Sequence, residues 1–358
     1  MVSLKTPICE LLGIEYPIIQ AGMAGGPTTV ELVSAVSAAG GLGTLGAAYM
    51  EPKALHLAIS DIKARTSKPF GVNLFATEAT DDFSRLEEVQ QVLNSFRTEL
   101  GIGGPPASLA SPDWSSEQLE ICLELDVPII STAFGLLSAE QMAQAKSKNA
   151  KIIAMVTTVD EAKLAEQAGV DAIVAQGSEA GGHRSTFKLA NHPYGAQIGT
   201  MSLVPQVVDA VNIPVIAAGG IADGRGLVAS LVLGAQAVQV GTRFLASEES
   251  AAHKVYKQSL FDSTEESTVI TKSFSGRPAR GIKNRFIEEF EQAKIEPLPF
   301  PSQNTATKDI RAAASEKANP EFMSLWAGQS TRMLTQEMKA ADIVREIMEQ
   351  AEQLDFKK

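Results

Sequence analysis

From Tyr16 to about Ala246 the chain repeats one unit, a short apolar or β-branched run followed by a longer amphipathic stretch with charge on one side. This is the pattern of consecutive βα units, whose crossover helices return the chain to the same end of one parallel sheet. Eight runs qualify as strands: 17–21, 41–44, 70–74, 127–131, 151–156, 172–175, 214–217 and 237–240. Helices are predicted over 28–39, 52–65, 115–125, 138–148, 159–168, 203–211 and 224–233. Gly40, Gly169 and Gly234 follow three of these helices, where a left-handed C-cap calls for glycine. The segments AGVDAIVAQG and LGAQAVQVGT each read as helix end, glycine and buried strand, as consecutive modules should. A doubly wound open sheet shows the same alternation, but the count of eight favours closure into a (β/α)8 TIM barrel of the α/β class.

A barrel accounts for about 250 residues, and the chain has 358. The surplus falls in two places. Residues 76–116 read as an insertion after the third strand, with a helix at 82–100 and then the loop GIGGPPASLASPDW (101–114). After Ser247 strands largely stop, and helical stretches around Lys254, Phe286, Asp309 and Ala340 are broken by EPLPFPSQ. The expected division is therefore a barrel over 1–247 and a mainly helical section over 248–358 that packs on it and covers its mouth.

Composition narrows the classes of partner. A formal net charge of −11 disfavours nucleic acid and anionic membranes, which need clustered Lys and Arg. No run approaches the roughly 20 apolar residues of a membrane span. Residues 1–10 show no secretory pattern, so the cytoplasm is expected. Cys9 and Cys122 are too few for a disulfide framework and read as small buried hydrophobes. The histidines and carboxylates show no metal-ligand spacing.

In such barrels the chemistry sits just past the C-terminal strand ends. There the chain carries QAGMAGG from Gln20, Asn73, QGSEAGGHR from Gln176, AAGGIADG from Ala217 and QVGTRF from Gln239. Gly219 and Gly220, together with Gly241 and Thr242, place bare backbone N–H groups after strands seven and eight, where a phosphate would be held; the alternative is that these glycines only turn the chain. Asn73 and Gln176 are amides suited to the alternating donors and acceptors of an isoalloxazine edge, or to capping a loop. Ala21, Gly22 and Met23 offer backbone contacts and a soft apolar side chain, or simply a packed turn. His183 follows EAGG in a glycine-rich loop and can act as acid, base or cationic anchor near neutrality. Glu179 would orient that loop, and His192 lies close enough in sequence to line the same pocket.

These segments together resemble the nitronate monooxygenases, formerly called 2-nitropropane dioxygenases, from about Leu4 to Phe286, including SFSGRPARGIKNRF (273–286). The resemblance implies non-covalent FMN, with Met23, Asn73, Gln176, Gly181, Gly219, Gly220, Gly241 and Thr242 at the family's binding positions; Ala21, Gly22, Gly182, Gln239 and Val240 beside them are expected to bind the cofactor too. His183 matches the catalytic histidine. It further implies oxidation of alkyl nitronates, such as propionate 3-nitronate, by dioxygen to a carbonyl product and nitrite. Ser185 departs from the glycine expected there. FMN-dependent enoyl-acyl-carrier-protein reductases, which use NADPH, share a similar EAGGH loop and form the nearest alternative. A non-redox barrel binding a phosphate ligand is the alternative of another class.

Overall fold

The computed structural model describes residues 4–77, 80–106 and 108–354, so Ala107 of the glycine- and proline-rich loop and the start of residues 1–10 lie outside the described residues. The strands are β1 Ile18–Gln20, β2 Gly43–Gly46, β3 Phe70–Phe75, β4 Ile129–Ala133, β5 Lys151–Val156, β6 Ala172–Gln176, β7 Gly182–His183, β8 Val215–Ala218, β9 Ala237–Val240, β10 Thr268–Thr271 and β11 Ala279–Ile282. All but β7, β10 and β11 form one eight-stranded parallel sheet in the order β1-β9-β8-β6-β5-β4-β3-β2. The circle closes where Gln20 N–H donates to Leu42 O and Leu42 N–H to Ile18 O, each at 2.9 Å. The expected (β/α)8 TIM barrel is thus the fold, and each predicted strand lies within about two residues of an observed one. Gly40, Gly169 and Gly234 adopt φ of +95°, +87° and +96°, the left-handed caps expected of them.

Each barrel strand is buried on both faces, which is why the strands read as continuous apolar runs. Successive residues alternate between two cores. Ile19, Ile129, Ile153, Val174 and Ile216 point into the barrel, whose lower end is plugged by Ile8, Cys9 and Leu12 of the helix Pro7–Leu12. Ile18, Val72, Ile130, Ile152, Ile173 and Val238 point outward against the surrounding helices. Both cysteines are buried and free, and burial pushes the Cys122 thiol up to about 12.

Above the barrel lies a separate apolar cluster. The insertion helix Leu86–Glu99 gives it Val89, Leu93 and Phe96, which pack with Phe274, Phe286, Phe290, Ile310 and Phe322. Phe274 and Phe286 stack at 4.1 Å, and Phe96 lies 4.8 Å from Phe286. After Ser247 two short strands stand among the helices: β10 and β11 pair antiparallel, and β11 also pairs with β7, joining the cover to the loop after β6. The final helix Ala340–Gln353 leaves the cover and returns to the barrel, placing Ile343, Val344 and Ile347 in the outer barrel core. No helix among the described residues is long and apolar enough to cross a membrane.

Candidate active site

The loop after β6 is tied down from several sides. Gln176 donates from Nε2 to the His183 carbonyl at 3.0 Å and accepts the Ser185 N–H on Oε1 at 2.9 Å. Its side chain therefore latches the loop on itself. Glu179 accepts the Thr200 N–H at 2.9 Å and the Thr200 hydroxyl at 3.0 Å, which orients the loop against the helix Thr200–Ala210. Arg184 is fully buried and donates to the carbonyls of Gly177, Gln176 and Ala196, and burial pulls its guanidinium down to about 10. It is a strut beneath the loop. Ser185, the departure noted in the sequence, accepts the Phe134 N–H and donates to Met155 O, joining the ends of β4 and β5 from a fully buried position.

His183 stands half-buried above this scaffold, with Nε2 2.8 Å from Ser275 Oγ. The Ser275 hydroxyl donates its one proton to Arg277 O at 3.0 Å. This assigns the imidazole proton to Nε2 and leaves Nδ1 as the acceptor. The ring is walled by Trp326 at 5.4 Å, Phe134 at 5.8 Å and Phe300 at 6.2 Å between centroids. Phe75 extends the wall 4.4 Å from Phe134, and Tyr49 meets Phe75 edge-on at 5.3 Å. Burial in this chamber, reinforced by the charges of Arg277 and Arg311, pushes the His183 imidazole down to about 3, so it is neutral at neutral pH.

The glycine loops after β8 and β9 form the other half of the site. Gly219 and Gly220 adopt φ of +109° and +73°, which glycine tolerates without strain. The N–H groups of Gly219, Gly220, Gly241 and Thr242 take no partner among the described residues. A strap from the cover draws the loops together: Gly328 N–H donates to Thr242 Oγ1 at 3.0 Å, Gln329 N–H to Glu179 O at 3.0 Å, and Ser330 Oγ–H to Gly220 O at 2.7 Å. A Cβ on Gly181 would sit 2.5 Å from Gly328 N, so glycine is what lets the strap close there.

Across the mouth, Asn73 donates from Nδ2 to Ser131 Oγ at 2.9 Å, and its Oδ1 takes no partner among the described residues. Gln239 stands one residue before the end of β9, its side-chain amide without a partner among the described residues, and Val240 O accepts the Ala21 N–H at 2.9 Å. The β1 loop lies directly on Asn73, since a Cβ on Gly22 would stand 2.6 Å from the Asn73 Cβ. Met23 is held by Thr28 and packs against both the barrel and the cover. Gly182 borders open space. The predicted residues thus gather at one mouth. The other histidines do not join them: His192 lies on an exposed turn, His56 on an exposed helix face, and His253 caps the helix Lys254–Asp262.

The chamber walls were not legible in the sequence: Phe75 ends β3, and Tyr49, Phe134, Phe300 and Trp326 come from separate connecting segments without a shared motif. Ser275 and Arg277 lay inside the segment that carried the family resemblance, where β7–β11 pairing would have linked them to His183.

The nitronate monooxygenase family model matches residues 5–350. Named relatives include a probable nitronate monooxygenase of Staphylococcus saprophyticus, 42% identical over 99% of both chains, and one of Staphylococcus aureus strain Newman, 45% identical over 92% of this chain and 93% of the relative. Among solved structures, the nitroalkane oxidase from Streptomyces ansochromogenes superposes with a TM-score of 0.90 at 36% identity, covering 96% of this chain and 98% of that one. FabK from Thermotoga maritima superposes less closely, with a TM-score of 0.78 at 33% identity over 98% and 97%. Fold and site together define a (β/α)8 oxidoreductase of the flavin-dependent class. Within that class, the chain belongs to the nitronate monooxygenase family.

Proposed function

We propose that this protein binds FMN at the barrel mouth and oxidises alkyl nitronates with dioxygen to a carbonyl product and nitrite. The observation that carries the reading is a neutral His183 in an aromatic chamber at the same barrel mouth as four backbone N–H groups without a partner among the described residues. Gly219, Gly220, Gly241 and Thr242 would hold the phosphate by backbone donation. The unpartnered Oδ1 of Asn73 and amide of Gln239 would meet polar edges of the ring, and Met23, Ala21 and Gly22 would flank it. Gln176 and Gly181 act through the loop that they hold in place. FMN, when bound, supplies the site that takes up electrons from the substrate and passes them to dioxygen.

The chain's own contribution is to bind, orient and exclude water. The aromatic walls desolvate the substrate and strengthen each polar contact made inside. A nitronate already lacks its carbon proton, so its oxidation needs no base. A neutral nitroalkane would lose that proton to His183 Nδ1, which the Ser275 contact leaves free to accept it. The negative charge then left on the substrate would raise the imidazole pKa and stabilise the transferred proton.

The test is an anaerobic visible spectrum of the purified protein, with a nitronate in one cuvette and NADPH in another. A flavin band that changes with the nitronate and not with NADPH is the expected result. Bleaching by NADPH alone would transfer the protein to the enoyl-reductase reading, and protein that takes up no flavin would overturn both.

A further inference from the structure

Phe134 holds a backbone conformation that bulky side chains avoid. It follows β4 directly, and its φ of +75° lies in the left-handed region, where the Cβ of an L-residue crowds the next carbonyl oxygen. The neighbouring glycine serves another purpose: a Cβ on Gly135 would stand 2.2 Å from Ala76 O. Thr132 Oγ1 donates to Gly135 O at 3.0 Å and closes the turn. Strain of this kind persists only where the surroundings over-determine it, and here two residues do so. The Phe134 N–H donates to Ser185 Oγ at 3.0 Å, while the Ser185 hydroxyl donates to Met155 O at 2.9 Å and is thereby fixed in direction. Ser185 is fully buried, with its own N–H on Gln176 Oε1. Arg277 lies with Cζ 3.9 Å over the Phe134 ring and donates to the carbonyls of Arg184 and Thr186, the residues on either side of Ser185.

Cβ turns with φ about the N–Cα bond, so this conformation decides where the ring stands. It stands 4.4 Å from Phe75 and 5.8 Å from His183, closer to both than Phe300, which lies 6.1 and 6.2 Å from them. Phe134 and Phe300 are themselves 5.8 Å apart. Resting on the reading above, we propose that Ser185 is a positioning residue: its hydroxyl holds Phe134 in the left-handed conformation, and the ring so placed fills the space beside His183 and restricts the chamber to nitronates with short tails. Residues 183–185 thus carry both the reactive imidazole and the hydroxyl that sets the depth of its chamber.

The test compares kcat/KM for ethyl nitronate and hexyl nitronate in the unmodified enzyme, in Ser185→Ala, in Phe134→Gly and in the double variant. The unmodified enzyme should prefer the short substrate. Ser185→Ala should lower that preference by about tenfold or more, chiefly through the KM of the hexyl substrate, and Phe134→Gly should lower it at least as far. Adding Ser185→Ala to Phe134→Gly should change the preference no further, since no ring is left to place. Equal losses on both substrates in Ser185→Ala would show a merely structural serine and overturn the proposal, as would a further shift in the double variant. A second readout needs no turnover: at a left-handed position Phe134→Gly should melt above Phe134→Ala, and the reverse order overturns the held conformation. A third uses acetate and hexanoate, whose planar carboxylates have the shape of the nitronate head. Hexanoate should raise the melting temperature of Ser185→Ala more than that of the unmodified holoenzyme, with acetate acting alike on both. If neither nitronate is oxidised yet hexanoate discriminates in this way, the positioning role stands and the proposed reaction fails. If both nitronates are oxidised and hexanoate does not discriminate, the reaction stands and the positioning role fails.

Discussion

The barrel and its cover are built on opposite plans. The barrel is made of modules that each close locally: strand, loop, helix and glycine cap follow within a few tens of residues, and hydrogen bonds link neighbours in sequence order except at the seam. The cover gathers residues that sequence keeps far apart, with Phe96 from the insertion packed on Phe286. The barrel accordingly presents backbone to the site, in the free N–H groups after β8 and β9. The cover presents side chains, including Ser275, Trp326 and Arg277, which lies over the Phe134 ring. A regular scaffold makes a good cradle for a constant group, while an irregular lid can shape a pocket around a particular substrate.

The sharpest way to break this division is to remove the reactive group that the barrel loop supplies. His183→Asn should lower nitroalkane turnover by about 10²–10⁴-fold, the usual span for a positioned acid or base, while nitronate turnover falls much less. Equal losses on both substrates, measured at saturating flavin, would mean that His183 holds the anion and does not take a proton.

Next in size is the coupling that makes insertion and C-terminal section one body. Phe96→Ala and Phe286→Ala should each cost about 3–5 kcal/mol in denaturant unfolding. Because the rings are in contact, the double variant should lose less than the sum, by roughly 0.5–3 kcal/mol. Strict additivity would show that the insertion is an independent appendage.

Ser275→Ala probes the cover's hold on the barrel histidine. Freed from its tautomer assignment, His183 should lose about tenfold in nitroalkane kcat, of the order of one hydrogen bond, while flavin affinity is unchanged. A loss of flavin instead would place Ser275 with the cradle.

The pH dependence of stability offers a smaller effect of defined sign. The His183 imidazole titrates near about 3 when folded and near its ordinary 6.5 when unfolded. Between these values the unfolded chain binds more protons, so stability contributed at pH 7 is lost as pH falls from about 6.5 toward 3. His183→Asn should flatten that slope in thermal melts. Smallest of all, Glu99→Gln removes an exposed ion pair with Arg285 that joins insertion and cover at 2.7 Å. No measurable change in melting temperature is expected, since solvent screens such pairs.

The same contrast explains what could be read from the sequence. The strands of the barrel were legible because a period of two or a continuous apolar run is a local signal, and Gly219, Gly241 and His183 were legible because they sit at fixed offsets from those strands. β10 and β11 were not, because their residues TVIT and ARGI gain strand character only by pairing with each other and with β7. Trp326 and the strap that follows it carry no periodicity at all; the strap's place is set by hydrogen bonds to loops 86 to 150 residues earlier. The insertion helix was visible from its amphipathic pattern, but not the aromatic cluster that it completes.

The final helix, Ala340–Gln353, occupies the outer position beside the helices Val30–Ala38 and Gly224–Val232, at the seam where β1 meets β9. In terms of connectivity it stands where the eighth barrel helix belongs, so the cover behaves like a parenthesis opened after the eighth strand and closed before the barrel's last word. The outer wall at this seam is therefore completed only by residues 340–353, which are synthesised after the whole cover, so the helical ring cannot close before the cover has been made.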